Sequence, residues 1–165
     1  MKVEMELSGF EGVLETLKKL PPEVVSKSGG PVKSALRKGA QVIQREAALN
    51  IARATDILGS DDHTSTGLLL KSLIVSRGKA PLSGKGERYL VRIKRNTYQR
   101  KGKAVTTLKT AQLLEYGSSS QPAEPWLRPA FNTKAPQAIR TIEAELLKGI
   151  DRAIRKVSKG KGGLQ

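Results

Sequence analysis

Between residues 31 and 55, Val32, Ala35, Leu36, Ala40, Ile43, Ala47, Ile51 and Ala54 recur at spacings of three and four. Lys33, Arg37, Lys38, Gln41, Gln44 and Arg45 fall largely off that line. Such spacing puts the apolar set on one face of a helix of about six to seven turns. Pro31 suits its first turn, where a missing N–H costs nothing. A helix of this length with one greasy side must lie on something, so the rest of the chain has to supply a partner surface for it.

A second long helix is predicted near the C-terminus. Ile139, Ile142, Leu146, Leu147, Ile150, Ile154 and Val157 keep the same spacing. The pattern begins near Leu127, and Pro136 falls inside it, which predicts a kink or a true start just before Pro136. Between the two helices lie strand signals. Leu73-Ile74-Val75 opens one strand, and Tyr89, Val91 and Ile93 alternate with Arg88, Leu90, Arg92 and Lys94 in another. Short helices are predicted at 66–73, with Thr66 as cap, and at Leu108 to Tyr116, ended by Gly117. At the N-terminus, Val3, Met5 and Leu7 alternate as in a strand. Phe10, Val13, Leu14 and Leu17 then follow at helical spacing up to Pro21-Pro22. The expected fold is α+β: a small, mostly antiparallel sheet packed against a long central helix and a C-terminal helix. Residues 1–157 form one domain in this reading, and 158–165 a flexible basic tail.

Aromatic residues make up 4% of the 165 residues and hydrophobic residues 38%. The core must therefore be mainly aliphatic and thin, and a thin core favours oligomerisation. There is no cysteine, which removes disulfides and thiolate metal sites and fits a reducing cytoplasm. Met1 to Leu20 lacks the apolar core of a signal peptide, and no stretch approaches the ~20 apolar residues of a membrane span. The expectation is a chain neither exported by a signal nor embedded in lipid.

Little in the sequence points to catalysis. His63 is the one histidine, beside Asp61 and Asp62 in a polar loop. No phosphate-cradling glycine motif, zinc spacing or calcium loop is present. The expectation is a binding or structural protein, with no cofactor, no metal and no catalytic residue.

Charge is the strongest chemical feature. The net charge is +15, and it is uneven. Residues 1–30 hold four Lys and five Glu, whereas 71–109 hold twelve Lys and Arg against Glu87 alone. Arg77, Lys79, Arg88, Arg92, Lys94, Arg95, Arg100, Lys101 and Lys103 are candidates to contact duplex DNA or an acidic protein partner. Arg88, Arg92 and Lys94 would share one face of their strand. Residues 95–107, polar and basic, are expected to form a flexible functional loop. The bland alternative is a solvated face. Tyr89 and Tyr98 are too few to build a platform for single strands.

Leu113 to Ala130 compresses a helix end, a stiff turn and a helix start. Gly117 can supply a positive φ, Pro122 and Pro125 stiffen the turn, and Trp126 and Leu127 can anchor it. This run resembles a tail-component family of long-tailed, non-contractile phages, similar to lambda's minor tail protein Z and called neck or tail-completion proteins. Leu114, Glu115, Tyr116, Gly117 and Ser118 match its Leu-Glu-aromatic-Gly-Thr/Ser element. Pro122, Ala123, Pro125, Trp126, Leu127, Arg128, Pro129 and Ala130 match its Pro-Ala-x-Pro-aromatic-Leu-Arg-Pro-Ala element. An upstream Thr-Gly-x-Leu-x-x-Ser-Leu element is similar at Thr66, Gly67, Leu69, Ser72 and Leu73. The family's hydrophobic-Pro-Val-Asp segment is replaced here by Gly59-Ser60-Asp61-Asp62-His63, so that loop inherits no role.

The resemblance implies a virion protein of the head–tail junction, made in the host cytoplasm. It implies a homo-oligomeric ring that finishes the tail and joins it to the DNA-filled head, with head-completion, tail-terminator or tail-tube proteins as neighbours. Leu114, Glu115, Tyr116, Gly117, Pro122, Pro125, Trp126, Leu127, Arg128 and Pro129 would serve packing and docking. The alternatives are a tail-terminator ring, a free non-specific nucleic-acid-binding protein and a small nuclease.

Overall fold

The computed structural model describes residues 30–57, 64–79, 87–100 and 102–161. The expectations for the N-terminal strand and helix, for the 59–63 loop with His63, for most of the 78–86 loop and for Lys101 lie outside these residues. The elements are α1 (Gly30–Ile57), α2 (Thr64–Ser72), β1 (Leu73–Arg77), β2 (Tyr89–Ile93), β3 (Thr97–Arg100), β4 (Lys103–Thr106), α3 (Thr107–Tyr116) and α4 (Leu127–Lys161). The fold is α+β, with two small antiparallel sheets, β1–β2 and β3–β4, where one was expected.

The two long helices form the frame. They run antiparallel, because Glu46 meets Lys134 and Lys38 meets Glu145. Gly39 lets them approach closely: a Cβ there would lie 2.4 Å from Ile142 Cγ1. Gly149 does the same against Pro31, at 2.8 Å from Pro31 Cβ. Glycine at these two positions sets the spacing of the helix pair.

The apolar stripe read from the sequence divides along α1. Ala47, Ile51 and Ala54 enter the main core with Leu69, Leu73, Ile93, Ala111, Leu114, Trp126 and Ala130. Val32 and Ala35 pack with Ile142, Leu146 and Ile150 in a second, smaller cluster. The core is aliphatic around one tryptophan, as its composition requires. α4 runs unbroken through Pro136, so of the two expected outcomes the true start does not occur. Pro136 is exposed, so water can take the carbonyl that its missing N–H leaves unbonded. α4 also continues through Ser158 to Lys161, so helix extends into the stretch expected to be tail.

β1 and β2 pair Leu73 with Ile93, Val75 with Val91 and Arg77 with Tyr89. Gln44 Nε2 of α1 donates to the Leu73 carbonyl at 2.7 Å and ties the sheet to the frame. A polar knot joins this sheet to the second one. Lys94 N donates to Ser72 O at 2.7 Å, and Asn96 Nδ2 donates to Ser72 Oγ at 2.8 Å. Asn96 N donates to Thr107 Oγ1 at 2.9 Å, and Thr107 Oγ1 donates to Lys94 O at 2.7 Å. Ser72 and Thr107 are buried, so each must find such partners or lose the desolvation cost of its hydroxyl.

Candidate interaction surfaces

The Leu114–Ala130 run closes into one unit around a buried carboxylate. α3 ends at Gly117, whose φ of 73 and ψ of −171 lie in a region nearly reserved for glycine. A Cβ on Gly117 would stand 2.8 Å from Ala123 N. Ser118 N donates to Gln121 O, and Glu124 N donates to Leu114 O, each at 2.8 Å. The chain thus folds back onto the end of α3 and delivers Trp126 to the core. The indole, 4% exposed, donates from Nε1 to Ala111 O at 3.0 Å. Asn50 Nδ2 of α1 donates to Trp126 O at 3.1 Å.

Glu115 is the centre of this unit. Its Oε2 accepts from Trp126 N at 2.8 Å and from Leu127 N at 2.9 Å. Its Oε1 accepts from Arg128 Nε at 2.8 Å and from Arg128 N at 3.3 Å. These backbone N–H groups belong to the first turn of α4, where no intrahelical acceptor exists and the helix dipole is positive. The last turn of α3 therefore caps the start of α4. Burial pushes the Glu115 carboxyl up, but the Leu127 N–H, the Arg128 guanidinium and the Trp126 and Arg128 N–H groups outweigh it. Together they hold the carboxyl below its ordinary value. Arg128 NH2 also donates to Glu115 O at 3.0 Å, and the guanidinium lies 5.2 Å from the centre of the Tyr116 ring. Tyr116 is 64% exposed. It forms the outer wall of the turn with Pro122, Pro125 and Pro129, all exposed. Leu127 is half-buried against the main core.

Sequence reasoning placed Glu115 in the motif and missed its work as a cap. A signal was present: Pro125-Trp126 before α4 offers no Ser, Thr, Asp or Asn to cap it locally.

The basic segment is arranged differently. Register puts Tyr89, Val91 and Ile93 on the α1 side of the sheet, with Arg88, Arg92 and Lys94 on the other face. The ladder reaches Arg88 through Gly78 N to Arg88 O and reaches Lys94 through its bond to Ser72. The shared face read from the alternation is therefore present. Arg92 Nε donates to Ser76 Oγ at 2.7 Å on that face.

Arg77 lies on the opposite parity. Its Nε and NH2 donate to the two oxygens of Glu87, each at 2.8 Å. Lys33 of α1 lies 3.7 Å from the same carboxylate. The Arg77 hydrogen bond holds the Glu87 carboxyl below its ordinary value. The charge of Arg77 is thus met within the fold by a carboxylate. Lys79, exposed, follows β1.

The flexible loop expected over 95–107 is instead a hairpin. Thr97 pairs with Thr106, Tyr98 with Val105, Gln99 with Ala104 and Arg100 with Lys103. Gly102, at φ 73, supplies the turn. The Tyr98 hydroxyl lies 2.6 Å from Thr110 Oγ1 and moors the hairpin to α3. Arg95, Arg100 and Lys103 are exposed. Residues 88–114 carry Arg88, Arg92, Lys94, Arg95, Arg100, Lys101, Lys103 and Lys109 and no acid. The sheet face, the connection after it and the β3–β4 hairpin each carry exposed basic side chains.

Among the described residues no cluster of His, Asp and Glu could hold a metal ion, and no helix is long and apolar enough to cross a membrane. Searches of protein-family models, of curated proteins and of solved structures find no match to this chain.

Proposed function

We propose that this chain is a structural subunit of a phage head–tail junction, a neck or tail-completion protein that works by docking and not by catalysis. One observation carries the reading. The residues that bear the resemblance, Glu115, Gly117, Trp126 and Arg128, are the ones whose contacts lock the end of α3 to the start of α4. The resemblance therefore falls on a working device in the fold and not on scattered identities. In the assembly, copies of the chain close into a ring through heterologous contacts, each copy meeting the next with a different face. The turn, with Tyr116 and its exposed prolines, presents a rigid outer surface to a neighbouring ring of head-completion, tail-terminator or tail-tube proteins.

The acid-free surface over 88–114 favours a further role inside that ring: sequence-independent contact with the phosphates of DNA leaving the head. One subunit reaches few phosphates and binds weakly. A ring multiplies those contacts and binds far more tightly. The same surface suits a free duplex-binding protein.

Deleting the gene and imaging the resulting lysate tests the reading. The expected result is DNA-filled heads and separate tails, with the chain found by mass spectrometry in wild-type particles. Normal joined particles in the deletion, or absence of the chain from purified particles, would overturn it. Tight binding of duplex DNA by the monomer, with unimpaired particles, would favour the free binding protein.

A further inference from the structure

The face of the β1–β2 sheet turned away from α1 carries Ile74, Ser76 and then Gly78 on one strand, and Arg88, Leu90 and Arg92 on the other. Arg92 stands opposite Ile74 in the register, yet its Nε donates to Ser76 Oγ at 2.7 Å, along the diagonal. Diagonal neighbours across a strand pair are about 7–8 Å apart, within reach of a long side chain. Committing Nε to the serine leaves the two terminal nitrogens of the guanidinium for an acceptor outside the fold. Arg88 leans the same way. A Cβ on Gly78 would lie 3.3 Å from both Cγ and Cδ of Arg88, so the arginine stem crosses Gly78. Both arginines therefore reach from β2 onto β1, at positions two residues apart, where a strand repeats every ~7 Å.

Like charges brought together on one sheet face repel. Both arginines are exposed, and among the described residues neither meets a carboxylate. On the opposite face of the same sheet, Arg77 is matched by Glu87. The outer face thus holds two pre-set guanidinium groups and lacks an anion.

Building on the DNA contact proposed above, we infer that Arg88 and Arg92 form a phosphate-binding pair, each taking one phosphate of a duplex DNA strand, and that Ser76 is the positioning residue that aims Arg92. The planar guanidinium fork matches phosphate oxygens with parallel N–H bonds. Each DNA strand offers a phosphate about every 3.4 Å of helix axis. A pair set one strand repeat apart therefore finds phosphates in any register and on any sequence. An acidic protein would have to place its carboxylates at that one spacing. Holding Arg92 on Ser76 before contact reduces the side-chain freedom lost on binding.

The test titrates full-length protein with labelled duplex of mixed sequence across a salt series, with chemical denaturation as the check on folding. Arg88→Ala and Arg92→Ala should each weaken binding by about 10-fold and flatten the logarithmic salt slope by about 0.9, one phosphate contact apiece. Ser76→Ala should weaken binding by about 3-fold and keep the slope, because Arg92 retains its charge. Ser76→Thr, which keeps the hydroxyl, should bind as wild type. In the Arg92→Ala background, Ser76→Ala should have no further effect. Wild-type affinity in Ser76→Ala, or an equal loss with and without Arg92, overturns the positioning role. Should Ser76→Ala disturb folding, Arg92→Lys decides, since lysine keeps the charge but cannot hold the serine and a phosphate with one fork. Weaker binding at unchanged slope supports the pair, and wild-type affinity overturns it. Unchanged slopes in both alanine variants, with duplex bound by wild type, overturn the phosphate pair and leave the DNA reading standing. No duplex binding by wild type at low salt defeats the DNA reading and the pair with it. Intact duplex binding but lost binding to poly-L-glutamate in both alanine variants assigns the arginines to an acidic protein and overturns the inference.

Discussion

Arg128 and Arg92 are both exposed arginines, yet they belong to regions built on opposite principles. Arg128 closes a unit in which a buried carboxylate is saturated by N–H donors from the backbone and the guanidinium. Arg92 sits on a sheet face with Arg88 and Lys94, where its donor meets a serine hydroxyl. In the first region charge is part of the fold, because removing one partner strands buried groups. In the second it is displayed, because solvated cations add little to stability and remain free for a polyanion. One region should respond to mutation through folding and the other through binding.

The largest effect is expected at Trp126. Trp126→Ala empties the centre of the main core and removes the bond to Ala111, and should cost about 3–5 kcal/mol in chemical denaturation. A loss under 1 kcal/mol would mean that the turn does not anchor the core. Glu115→Gln comes next. It leaves N–H groups at the head of α4 facing an amide and should cost about 2–4 kcal/mol.

The same variant carries a pH signature. Because the folded-state carboxyl of Glu115 lies below its ordinary value of 4.5, its contribution is complete above that value and is lost as pH falls through the folded-state value. Glu87 and Glu145 are lowered too, so the wild type should lose stability in acid through all three. Glu115→Gln should show a shallower loss below about pH 4.5. Parallel curves for the two proteins would remove Glu115 from that account.

Gly117→Ala should cost about 1–3 kcal/mol, since the backbone conformation is strained for any other residue and Ala123 stands in the way. A neutral result would show that the turn relaxes. The smallest stability effect is expected for charge reversal at Arg92, Lys94 and Arg95 together, within about 1 kcal/mol of wild type. The same triple variant should lower salt-sensitive binding to duplex DNA by about 10-fold or more. If it unfolds the protein, the distinction between built-in and displayed charge fails. If it folds, keeps DNA binding and loses joining to a neighbouring ring, the basic surface serves an acidic protein.

Local pattern carried much of this fold. Periods of 3.6 and 2 are properties of neighbouring residues, so α1, the β1–β2 pair and the shared face of Arg88, Arg92 and Lys94 could be read from spacing alone. Gly117 as the end of α3 and Trp126 as the anchor were legible for the same reason: a positive φ and a lone large aromatic each have few uses. The hairpin was not legible. Thr97, Gln99, Arg100 and Lys103 are polar, and Tyr98 and Val105 give too few apolar points to mark a period. Its strands exist because Tyr98 reaches Thr110 and because the Ser72–Asn96–Thr107 knot pins the base. The cap on α4 was hidden similarly, its acceptor lying 11 residues before the Trp126 N–H that it serves. Pro136 does not start α4, since the local rule against proline in helices is overridden by the long packing face that α4 shares with α1. Sequence alone thus decided where apolar faces lie. Tertiary structure decided which polar groups find each other, because a hydrogen bond or ion pair depends on placement in space, and distant segments meet only once the faces have packed.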